Sequence, residues 1–161
     1  MVLNDFFMWL TAQTWAQTIS GTWMFPVLES LHVVGLAVLI GSIAFLDLRL
    51  IGVTLRHWTV TRLTREVLPW TWGGFALVMA TGVLMFCGGA DLYAANPAFR
   101  VKLVLLVLAG ANMLAFHLFA YRSVARWDTG PATILGAKIA GGLSLLFWAG
   151  VVVAGRAIAF T

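Results

Sequence analysis

Apolar residues gather into four long stretches separated by short polar ones, roughly at 26–51, 67–86, 101–121 and 134–160. Each reaches or exceeds the ~20 residues with which a helix crosses about 30 Å of hydrocarbon. The pattern predicts four membrane-spanning helices. The connections are short: about fifteen residues after the first and second stretches and about ten after the third. Such lengths favour sequentially adjacent antiparallel helices. The expected fold is therefore all-α: a polytopic membrane four-helix bundle running up-down-up-down, in one transmembrane domain over 1–161.

Helix starts are signalled by Pro26, by Asn96-Pro97 with Asn as a cap, and by Thr129-Gly130-Pro131. The first twenty residues are different, because Asn4, Asp5, Thr11, Gln13 and Gln17 interrupt any apolar run. They contain no basic residue, so a cleaved signal peptide is not expected. Val2, Phe6, Trp9, Ala16 and Ile19 recur at near-helical spacing, which predicts an amphiphilic segment lying in the membrane surface.

Composition agrees with the pattern. With 61% hydrophobic and 10% charged residues, the chain is too apolar for an ordinary soluble domain. A net charge of +4 would suit nucleic acid, but the positions of the charges argue against it. Arg49, Arg56, Arg62 and Arg65 flank the first connection, and Arg122 and Arg126 flank the third. In an even-helix bundle both connections lie on one face. The positive-inside rule makes that face cytoplasmic, in a bacterial inner membrane with both termini periplasmic. Trp23, Trp58, Trp70, Trp72, Trp127 and Trp148 fall near span ends, as an aromatic belt does. A lone cysteine, Cys87, excludes an internal disulfide and any CxxC site.

Glycine and alanine are dense within the spans, among them Gly35, Gly41, Gly73, Gly74, Gly82, Gly110, Gly136, Gly141, Gly142, Gly150 and Gly155. Lipid gives apolar side chains no reason to prefer a bundle interior, so small residues are expected where helices approach closely or where a flat cofactor needs space.

Candidate chemistry rests on ionisable groups within the spans, which are costly in hydrocarbon and are functional candidates for that reason. His32 lies about six residues inside the outer end of the first span, and Lys102 about five residues past Pro97. At ~1.5 Å per residue these share a level, with Glu29 one turn above His32. His117 is roughly 22 Å deeper than Lys102 along the axis, so His32 and His117 are not expected to grip one haem from opposite faces. Asp47, Arg49 and Lys138 belong with His117 in the cytoplasmic half, as an ion-pair cluster or a proton path to a quinone. His117 is also a candidate ligand of a second haem with His57. A copper reading finds Met79, Met85, Met113 and Cys87 but no Met-rich or His-rich cluster.

Several segments carry a resemblance: ESLHVVGLAVLIGSIAFLDLRLIG, PWTWGGF at the start of the second span, NPAFRVKLVLL at the third, and Phe116-His117 within it. Over about 22–160 the chain resembles a family of small bacterial four-helix inner-membrane proteins of unknown function, which implies the topology and no activity. It is more distantly similar to the HemJ-type protoporphyrinogen oxidases and CopD-like copper-resistance membrane proteins. The HemJ-type pattern has a first-span histidine in an LH-hydrophobic-G context, an arginine late in that span, and a lysine-leucine opening the third. These correspond to His32, Arg49 and Lys102. The resemblance implies haem b with His32 as an iron ligand and Lys102 beside it.

The expected function is a membrane haem-b protein that transfers electrons, with a quinone as redox partner, as a homo-oligomer or beside other membrane subunits. Two alternatives stand beside it. One is a cofactor-free accessory or scaffold subunit; the other is an oxidase of a porphyrinogen-like substrate, held through Arg49 or Lys102. A transporter completed by dimerisation is a weaker fourth.

Overall fold

The computed structural model describes residues 2–128 and 133–160, with side chains from Asn4 onward. The Thr129-Gly130-Pro131 signal and the side chain of Val2 lie outside the described residues. Two short helices, α1 (Val2–Thr11) and α2 (Thr14–Gly21), precede the long α3 (Met24–Ile51) and α4 (Val60–Cys87). A short α5 (Ala90–Ala95) leads into α6 (Pro97–Ala115), which continues through a π turn (Phe116–Ala120) and a 3₁₀ turn (Tyr121–Ser123) to α7 (Val124–Trp127). The last long helix is α8 (Leu135–Ala157). Four helical stretches, Met24–Ile51, Val60–Cys87, Pro97–Trp127 and Leu135–Phe160, are long and apolar enough to cross a membrane.

Local chemistry sets the boundaries. Gly52 ends α3 in the left-handed region (φ 86°), where its N–H reaches the carbonyls of Leu48 and Arg49. The Thr59 hydroxyl accepts the Arg62 N–H, so α4 starts seven residues before the apolar run at 67. Its first two turns are polar, and hydropathy alone misses them. Asn96 caps α6 by accepting the Phe99 N–H at 3.1 Å, with Pro97 in the first turn.

The helices pack in the order α4, α3, α8, α6. The consecutive spans α3–α4 and α6–α8 are neighbours as expected, and only α4 and α6 depart from that expectation by sharing no comparable face. They meet at one end, where Phe86 and Phe99 stack at 5.5 Å. The reason lies in where backbones can approach. A Cβ on Gly74 of α4 would stand 2.8 Å from the Leu39 nitrogen of α3, and one on Gly141 of α8 would stand 3.0 Å from the Asp47 carbonyl oxygen. On α6, Leu105 fills the space beside Gly150 of α8. By contrast α4 exposes bulky Phe75, Met79 and Val83. Gly41, Gly73, Gly110, Gly136 and Gly142 meet nothing, so helix contact explains only part of the small-residue content.

The N-terminal helices close one end of the row. Ala16 and Ile19 are buried, while Phe6, Trp9 and Trp15 are exposed, so this amphiphilic segment keeps an outward aromatic face. Thr11 donates to the Asp91 carboxylate and accepts the Ala90 N–H, tying α1 to α5. The opposite, arginine-rich end holds a core of Leu50, Val60, Phe116, Ala120, Trp127 and Ala137. Trp127 is thus a core residue rather than part of an aromatic belt, and its indole N–H donates to the Ala120 carbonyl and the Ser123 hydroxyl.

Candidate functional site

The α3–α4 register brings His32 against α4. Its Nδ1 lies 2.9 Å from the Thr81 hydroxyl oxygen, and that oxygen is 2.7 Å from the Leu77 carbonyl. The same hydroxyl is 3.3 Å from the Val78 carbonyl oxygen, and that carbonyl also bonds the ring, so His32 is anchored to the Leu77–Thr81 turn of α4. Gly82 lets α4 lie flush with the ring, since a Cβ there would stand 3.1 Å from His32 Cε1.

Lys102 reaches the same region from α6. Its stem runs along α8, where a Cβ on Gly155 would stand 3.9 Å from Nζ. The amine is close enough to act electrostatically on His32. Among the described residues it has no hydrogen-bond or ion-pair partner. Above this pair, toward the N-terminal end, Glu29 is exposed and acts on Tyr93 of α5. Burial, and then the negative charge of Glu29, pushes the Tyr93 phenol above its ordinary 10.0. Phe86, Tyr93 and Phe99 pack ring against ring over the same end, with Phe7 edge-on to Phe86.

The remaining candidates lie apart from His32 and Lys102. His117 sits in the π turn with its ring exposed, and its Nδ1 lies 2.9 Å from the Met113 carbonyl oxygen. His57 is also exposed and stands edge-on to Trp58. Arg49 is buried, yet it does not form the expected cluster with Asp47 and Lys138. It donates instead to the Trp58 carbonyl at 2.7 Å and the Thr133 hydroxyl at 3.1 Å, fastening two connections together. Helix geometry explains this, because residues two apart project from different faces. Asp47 faces α8, where Ser144 hydrogen-bonds its carboxyl. Among the described residues no three of His, Cys, Asp and Glu gather to hold a metal ion.

Sequence reasoning missed the residues that orient the others. Thr81 anchors the His32 ring, and Ser144 meets Asp47. Asp128 caps α4 from the other connection by accepting the N–H groups of Val60 and Thr61. Each partner lies on another helix, so only the register between helices reveals it.

Residues 6–161 match the model of a family described as Family of unknown function (DUF6644). The chain belongs to that family. Neither the curated proteins nor the solved structures yield a match. The distant similarity to HemJ-type and CopD-like proteins therefore gains no support, and membership of DUF6644 brings no activity with it.

The donor chemistry of His32 and Lys102 bears on whether a haem could sit here. Haem iron accepts neutral imidazole nitrogen. His32 is held at Nδ1 by Thr81, as a second hydrogen bond orients ligating histidines generally. Lys102 adds a nitrogen not committed to a carboxylate. By donor type, His32 and Lys102 are residues that would hold a haem iron.

Proposed function

We propose that this chain is a membrane haem-b protein that takes part in electron transfer, with a quinone as redox partner and within a larger assembly in the bacterial inner membrane. The observation that carries the reading is the 2.9 Å contact of His32 Nδ1 with the Thr81 hydroxyl, which holds the ring in place with Lys102, itself unpaired among the described residues, acting on it from α6. His32 would hold the iron and Lys102 would stand next to it. Haem supplies the one-electron chemistry when bound, and the protein sets orientation and polarity around it. Thr81 anchors the imidazole, and Gly82 holds α4 flush with the ring. The arginine-rich end faces the cytoplasm and both termini face the periplasm, by the distribution of basic residues.

The test is spectroscopic. Protein purified in mild detergent after expression with haem precursors is predicted to give sharp bands in a dithionite-reduced minus oxidised spectrum. Pyridine-haemochrome assay is predicted to find about one haem per chain. Folded protein without haem under these conditions overturns the proposal and favours a cofactor-free accessory subunit.

A further inference from the structure

Asp47 is a buried carboxyl that the electron-transfer reading does not use. It lies four residues before the end of α3 and is 5% exposed. Ser144 of α8 serves the carboxyl, but Oδ2 is buried with no hydrogen-bond partner. The surroundings are closed on the α8 side, where Gly141 meets both the Asp47 carbonyl oxygen and Leu50.

Among the described residues no charge compensates this group. Arg49, two residues on, is committed to Trp58 and Thr133. Lys138, one turn before Gly141 on α8, does not pair with it, and Arg65 and Glu66 of α4 point outward as exposed residues. An ionised carboxylate with a bare oxygen and no cation is the costliest state for such a site, and buried acids escape it by taking a proton. Carboxyls inside membrane bundles serve characteristically as proton sites.

A second orphan lies nearby. Thr64 of α4 has a buried hydroxyl without a partner. It precedes Thr71 by one heptad, and Thr71 faces α3, where it hydrogen-bonds Ser42 at 2.8 Å. Thr64 therefore faces α3 nearer the arginine-rich end, close to the level of Asp47.

We propose that Asp47 is a proton-binding site inside the bundle, present as the neutral acid and exchanging its proton with the aqueous phase at the arginine-rich end. The proton comes from water at that end and returns to it, with no other bond made or broken. The site stands independently of any haem.

Infrared spectroscopy of the purified full chain in liposomes tests this at pH 7. Wild type is expected to show a carboxylic-acid C=O band that moves to lower frequency in D2O and is lost in Asp47→Asn. Ser144→Ala removes a hydrogen bond to the carboxyl and is expected to shift the band without deleting it. Should Asp47→Asn fail to fold, Asp47→Glu is expected to move the band instead. Absence of an acid band in folded wild type, or a band unchanged in either Asp47 variant, overturns the assignment; a band insensitive to D2O overturns the exchange.

Discussion

At the scale of single residues, partners determine what each polar group can do. Tyr93 shows this outside the spans, where burial and Glu29 both oppose its phenolate. Because the folded phenol titrates above its unfolded value, its contribution to stability is complete below about pH 10 and is lost as pH rises through the folded value. Ultraviolet titration of the tyrosines is predicted to show one ionising late, and Glu29→Gln is predicted to move it part of the way back. A late tyrosine unaffected by Glu29→Gln would leave burial as the whole cause. The types and depths of Glu29, His32 and Lys102 were legible in the sequence. The anchor of His32 was not, since the Thr81 hydroxyl that meets Nδ1 lies 49 positions away on another helix.

At the scale of helices, approach distance decides which faces pair. At Gly74 the backbones of α3 and α4 lie so close that a Cβ would stand 2.8 Å from the Leu39 nitrogen. Gly74→Ala is predicted to destabilise the protein by about 1–3 kcal/mol, as overpacking generally does, with Gly73→Ala near neutral. Thermal unfolding in detergent, followed by circular dichroism, checks both. Equal effects would contradict the packing order. The four spans follow from hydropathy because hydrocarbon thickness imposes their length. Their lateral order α4, α3, α8, α6 does not follow, because connection length says which helices can be neighbours and only the placement of small and bulky faces says which are. The early start of α4 escaped for a related reason: Thr59 and Asp128 cap two polar turns that hydropathy ignores.

At the scale of the whole molecule, the two ends have different tasks. The arginine-rich end is fastened by Arg49 and Asp128, each of which joins the connection after α3 to the one before α8. The other end carries the N-terminal helices, the aromatic cluster and, one turn below, His32 with Lys102. The arrangement gives a membrane bundle with a rigid base and a nitrogen-donor pair near the opposite surface. We propose that this pair holds a haem. The most direct test is haem content per folded chain in His32→Ala and Lys102→Ala beside Lys138→Ala, with folding followed by circular dichroism. Haem is expected to be lost in His32→Ala, weakened or spectrally altered in Lys102→Ala, and unchanged in Lys138→Ala. Folded His32→Ala protein that keeps the wild-type spectrum would contradict the proposal.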